Sequence, residues 1–251
     1  MITGGIEMET SEWVTQNPKL MAEMLEGDWP TSPHWGPRYS KENDHNKLRV
    51  DFAGSETVEN NYSQAFQDMF VLCMLDGKRN GTYLELGGDK PRKLNNTYLL
   101  ESEFGWTGNS FEIEEEKSDY FNTQRKNKCI CADATTYDYA SLDYPDQIDY
   151  LSLDCDPAEV TLRCLKKLPL DKYRFSVITY ETDVYQDGAD HQYEQRKILQ
   201  SHGYQLVVRN VMNEGHPFED WWVDPTVVPE ERWKPFKFGS LGTEGREVIL
   251  L

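Results

Sequence analysis

Five acids stand at or beside the ends of five successive apolar runs: Glu85 in TYLELGG, Glu112 in TGNSFEI, Asp133 in NKCICAD, Asp154 in IDYLSLD and Glu181 in FSVITYE. A single acid there is ordinary, because Asp and Glu favour turns and helix starts. Five that share one crevice repel one another unless a cation or a hydroxyl-rich ligand balances them. Glu85 is followed by Gly87-Gly88, a turn of the kind that cradles a nucleotide-type cofactor, but Asp89-Lys90-Pro91 come next and the G-x-G-x-x-G spacing is missing. NAD is therefore disfavoured. A ligand with a positive centre and a ribose but no phosphate fits better, and S-adenosylmethionine has both. Glu85 can anchor its ammonium directly or through water. Glu112 can accept both ribose hydroxyls, as the acid of a dinucleotide fold does. Asp133 can accept from the adenine amino group. His191, at a helix start in DGADHQYEQ, stands where a base is useful; a solvated helix-start histidine is the alternative.

Elements that alternate between two periods must position these acids. SQAFQDMFVLCML is apolar at helical spacing, with Gly77 just past its end. Strands are predicted over 82–86 and in TGNSFEI, NKCICAD, IDYLSLD, FSVITYE, YQLVVRNVM and FEDWWV, with helices in LNNTYLLESEF, AEVTLRCLKKL and DHQYEQRKILQSHG. Strands separated by helices imply crossovers and a mostly parallel sheet. Two successive extended runs at the end imply an antiparallel finish. The expectation is a Rossmann-like α/β fold with a seven-stranded, mostly parallel sheet and helices on both faces. Residues 1–58, polar and proline-punctuated, read as an arm or lid with a short helix near 12–25. Residues 59–224 form the domain, and 225–251 a tail ending in an edge strand.

The 251 residues suit one domain with appendages. With 26 Lys+Arg against 44 Asp+Glu the net charge is −18, which argues against a phosphate backbone or an anionic membrane surface as partner. Five cysteines without a Cys-x-x-Cys, mostly within apolar runs, read as reduced thiols of a cytoplasmic protein. No basic and apolar leader opens the chain, and no run of about 18 apolar residues occurs.

From Ser63 to about Asp224 the chain resembles the FkbM family of S-adenosylmethionine-dependent methyltransferases. The resemblance rests on Ser63, Gln64, Gln67 and Asp68 before the first strand, then Glu85 and Gly87 with Asn96-Thr97 following. It continues through Gly105, Trp106 and Gly108 before Phe111-Glu112-Ile113, the stretch LSLDCDPAE at 151–159, and the closing ITYETDVY and FEDWWVDP. Glu85 stands for the usual Asp, Pro91 for a glycine, and Asp156-Pro157 for Glu-Gly; Pro157 can open the following helix.

The resemblance implies a cofactor site built from Glu85, Gly87, Gly88, Asn96, Thr97, Glu112, Asp133 and Gln67, and O-methylation of a hydroxyl on a small, sugar-like or natural-product acceptor. A hydroxyl acceptor needs a base or a metal. Asp154, Glu181 and His191 are the candidate catalytic residues. Asp154, Glu181 and Asp183 are a candidate Mg2+ set, the alternative being that Asp154 only caps a helix. Retention of Glu85 and Glu112 favours an enzyme, and the altered DCDPAE favours an inactive binding module of the same fold. Oligomeric state has no signature in the sequence.

Overall fold

The computed structural model describes Tyr39, residues 47–237 and residues 243–251. The helix expected near 12–25 lies outside them. Eight strands make one sheet: β1 (Thr82–Leu86), β2 (Thr107–Glu112), β3 (Lys128–Cys131), β4 (Gln147–Leu153), β5 (Arg174–Glu181), β6 (Gln205–Asn213), β7 (His216–Val223) and β8 (Thr243–Glu244). Their order is β3-β2-β1-β4-β5-β7-β6-β8. The first five pair in parallel, and β7 runs antiparallel to both β5 and β6. The eighth strand exceeds the seven expected by a two-residue pairing of Thr243–Glu244 with β6.

The helices are α1 (Gln67–Met74), α2 (Tyr98–Phe104), α3 (Glu115–Gln124), α4 (Ala158–Lys167), α5 (Val184–Asp187), α6 (Asp190–Ser201), α7 (Glu230–Trp233) and α8 (Gly245–Ile249). Alternation along the strands divides the core in two. Tyr83, Tyr150, Val177 and Trp221 pack on one face with α1, while Leu84, Leu151, Ile178 and Trp222 pack on the other with Leu162 and Leu165 of α4 and Leu199 of α6. Every residue of α1 is buried, Gln67 and Asp68 included. Asp68 anchors the chain entering α1, accepting from the Tyr62 and Ser63 amides at 2.7 and 3.1 Å and from Ser63 Oγ at 2.5 Å.

The tail supplies the short edge strand β8 and then ends in the helix α8. Val248, Ile249 and Leu250 are buried in the α1 face, and Gly245 packs so closely that a Cβ there would stand 2.0 Å from the Ala65 carbonyl oxygen. Residues 47–50 are tied to it, with Arg49 Nε donating to the Val248 carbonyl at 2.9 Å and Leu48 bridging Leu250. Pro157 is the residue just before α4 rather than its first residue. Among the described residues no helix is long and apolar enough to cross a membrane.

Candidate cofactor and acceptor site

Strand order reverses between β1 and β4, and in open α/β sheets a ligand crevice forms at the carboxyl ends of the strands on either side of that point. A cavity of about 650 Å³ lies there. Nine carboxylates and three cationic side chains line it. Such a lining favours a ligand with a positive centre and disfavours a phosphate.

The β1–β2 half is held together by hydrogen bonds. Glu85 is buried, and its carboxylate accepts from Ser110 Oγ at 2.5 Å, Thr97 Oγ1 at 3.1 Å and Asn95 Nδ2 at 3.2 Å. Burial pushes its pKa up, and the nearby Arg125 guanidinium opposes that rise. Arg125 donates to Glu101 at 2.7 Å, to the Pro91 carbonyl at 2.8 Å, to Asn95 Oδ1 at 2.9 Å and to Thr97 Oγ1 at 3.1 Å. One buried cation thus braces both Glu85 and the residues that bond to it.

Gly87 follows with φ at +92°, and a Cβ on it would come within 1.7 Å of the Asp154 carbonyl oxygen. Only glycine allows the β1 loop to lie against the β4 loop in this way. The Gly87 and Gly88 amides both donate to the Phe111 carbonyl, at 3.1 and 2.8 Å. Glu112 is aimed by two backbone amides, Asp89 N on Oε2 at 3.0 Å and Glu114 N on Oε1 at 2.9 Å. Each oxygen keeps a second lone pair. Asn96 donates to Ser152 Oγ at 2.9 Å, which leaves its Oδ1 buried without a partner in the cavity wall. Asp133 also lines the cavity, with Oδ1 accepting from the Thr135 hydroxyl at 2.7 Å and amide at 2.8 Å; these bonds hold its carboxyl below the usual range.

The β4–β5 half is arranged differently. Asp154, Asp156, Glu181 and Asp183 all face the cavity. Burial pushes the Asp154 carboxyl up to about 6, and Glu181 lies within hydrogen-bond reach of it. Burial and the neighbouring Asp154 charge push Glu181 well above the usual carboxylate range. Asp183 is pushed up to about 7 by burial and the Asp156 charge. Tyr185 lines the same half and stacks on the His216 ring, with centroids 4.7 Å apart.

Several expected site residues lie elsewhere. Gln67 is off the cavity wall: it sits in the core and donates to Glu219 at 2.8 Å. His191, in the first turn of α6, is not on the wall either. Thr97 is off the wall and acts on the site through its bonds to Glu85 and Asn95. The carboxylates that converge closely enough for a metal are Asp156, Glu181 and Asp183, with Asp156 in the place expected for Asp154.

Sequence reasoning missed Arg125, Asn95 and Ser110. Arg125 stands in TQRKNK, among cations that read as solvated, and nothing local marks it as the partner of an acid 40 residues earlier.

No family model and no curated protein matches the chain. Among solved structures, a putative rRNA-methylase from Clostridium thermocellum superposes with a TM-score of 0.47 at 11% identity, over 65% of this chain and 97% of that one. A precorrin-6y C5,15-methyltransferase from Geobacter metallireducens gives 0.44 at 12%, over 64% and 89%. A mutant of MtNAS in complex with S-adenosylmethionine gives 0.39 at 13%, over 64% and 63%. The order β3-β2-β1-β4-β5-β7-β6, with β7 antiparallel and the crevice at the β1/β4 reversal, makes this a Rossmann-like methyltransferase fold.

Proposed function

We propose that the protein is an S-adenosylmethionine-dependent O-methyltransferase of the FkbM type, acting on a hydroxyl of a small polar, sugar-like or natural-product acceptor. The observation that carries the reading is the pairing of Glu112, aimed by two backbone amides, with the φ-positive Gly87 at the strand-order reversal. The buried, unpartnered Asn96 Oδ1 beside Glu85 supplies an acceptor for an ammonium group, and the acidic wall suits a sulfonium. Support for the FkbM likeness comes from where its motif residues fall: Glu85, Gly87, Asn96 and Glu112 line the cavity, and Ser63 with Asp68 fixes the chain entering α1.

When bound, S-adenosylmethionine supplies an electrophilic methyl carbon that passes to a nucleophilic oxygen by in-line displacement. Glu112 accepts from the ribose hydroxyls. Glu85 and Asn96 face the amino-acid end. Asp154, with a carboxyl near 6, is ionised at neutral pH and takes the proton of the acceptor hydroxyl. Glu181, within hydrogen-bond reach of Asp154, helps to orient it.

The test is a crystal structure grown with S-adenosylhomocysteine. The ribose hydroxyls are expected at hydrogen-bond distance from Glu112, roughly 2.6–3.0 Å. A ligand bound with Glu112 unengaged, or no ligand at millimolar concentration, would overturn the reading.

A further inference from the structure

Asp156, Glu181 and Asp183 each offer one carboxylate oxygen, and the three oxygens lie within 4.8 Å of one another. They come from two strand ends: Asp156 follows β4, Glu181 closes β5, and Asp183 begins the turn after it. The β5 turn is pinned from behind, since the Thr182 amide donates to the Phe218 carbonyl at 2.8 Å. The cluster is therefore held by the sheet.

An acidic cluster alone says little, because exposed acids often gather with only water between them. Here two of the three are buried: Glu181 is 5% exposed and Asp183 3%. Each turns an oxygen, Glu181 Oε2 and Asp183 Oδ1, to a position without a hydrogen-bond partner, and both residues line the cavity. Among the described residues, no lysine, arginine or histidine forms an ion pair with any of the three. Carboxylate oxygens at this spacing repel one another, and although Gln186 Nε2 donates to Asp183 Oδ2 at 3.3 Å, the buried Glu181 Oε2 and Asp183 Oδ1 lack a donor that would offset their desolvation. A hard divalent cation, which takes oxygen ligands, removes both costs.

We propose that Asp156, Glu181 and Asp183 bind a hard divalent cation, Mg2+ or Mn2+, in the β4–β5 half of the cavity. The site itself does not depend on the cofactor. Its role does rest on the methyl-transfer reading: a hydroxyl that reaches the cation loses its proton more readily. Tyr185 and Phe218 line the same half and would flank such an acceptor.

The test uses the full-length protein, stripped with EDTA and titrated with MnCl2 alone, bound metal being read by electron paramagnetic resonance and by calorimetry. One equivalent of Mn2+ is expected, displaced by excess Mg2+. Asp183→Asn and Asp156→Asn are each expected to weaken Mn2+ at least about 10-fold. Asp143→Asn, at an exposed position away from the cavity, should leave it unchanged. Circular dichroism melts of each variant establish that the fold is retained; should Asp183→Asn fail to fold, the exposed Asp156→Asn carries the comparison. No stoichiometric Mn2+ at millimolar concentration, or equal affinity in wild type and Asp156→Asn, would overturn the proposal. S-adenosylmethionine titrated into the same metal-free sample separates the two claims. Cofactor binding without Mn2+ binding defeats only the cation site, and Mn2+ binding without cofactor binding defeats only the methyl-transfer reading.

Discussion

The two halves of the cavity treat their carboxylates in opposite ways. On the β1–β2 side each acid has its donors: Glu85 has Ser110, Thr97 and Asn95 with Arg125 behind them, and Glu112 has two amides. On the β4–β5 side, Asp154, Asp156, Glu181 and Asp183 face mainly one another, and two buried oxygens have no partner. The first half is built before any ligand arrives and sets geometry. The second stores repulsion that a ligand relieves, and so responds to what enters. This is the division the proposed methyl transfer would need between a fixed cofactor and a reacting acceptor.

The sharpest way to break the contrast is to remove the cation behind Glu85. Arg125→Met leaves Glu85 and Glu101 without it in a site where the arginine side chain is 1% exposed. Losing one partner of a buried pair costs about 3–5 kcal/mol. Urea unfolding is expected to show a loss of that size, with part of it recovered when Glu85→Gln is added. A loss below about 1 kcal/mol would mean that the hydrogen bonds alone hold Glu85.

Gly87→Ala probes the line where the halves meet. The methyl would collide with the Asp154 carbonyl in a backbone conformation that disfavours side chains. A destabilisation of about 2 kcal/mol or more is expected in the same assay, with weakened cofactor binding. Retention of both would show that the two loops separate freely.

A smaller effect lies at the other end of the sheet, where Asp224 is paired with Arg174 at 2.7 Å. Burial pushes the Asp224 carboxyl up, but hydrogen bonds from Thr226 and Arg174 outweigh it and leave it below its ordinary 3.8. Its contribution is present above pH 3.8 and is lost as the pH falls through the lower folded value. With Arg174 a third exposed, the effect is about 1 kcal/mol or less. Melting curves between pH 5 and 2 should fall less steeply for Asp224→Asn than for wild type. Parallel curves would remove this pair from the acid response.

The sheet was legible because its strands are short β-rich runs separated by helices with clear apolar spacing. β1 falls on the predicted 82–86, and β7 takes the antiparallel place that two successive extended runs implied. α3 was not legible: in EEKSDYFNTQ only Ser118, Tyr120 and Phe121 are buried. α8 was read as a strand because GREVILL is too short to show a period, and tertiary packing against Ala65 decides it. At the site, strand-end acids were readable as positions. Their partners were not, because Arg125 reaches Thr97 across 28 residues and Gln67 reaches Glu219 across 152. The Asp156-for-Asp154 exchange has the same origin: sequence places both in one loop, and only the fold shows which of them meets Asp183.

The division of labour between the halves is tested most directly by one calorimetric comparison: S-adenosylmethionine titrated into wild type, Glu112→Ala and Asp154→Asn, with turnover followed on any hydroxyl acceptor the wild type methylates. Glu112→Ala is expected to weaken cofactor binding by about 2 kcal/mol, roughly 30-fold, as two charge-assisted hydrogen bonds are lost. Asp154→Asn should bind within about 2-fold of wild type yet turn over about 100-fold more slowly. Unchanged affinity in Glu112→Ala, or equal losses of affinity in both variants, would contradict the division.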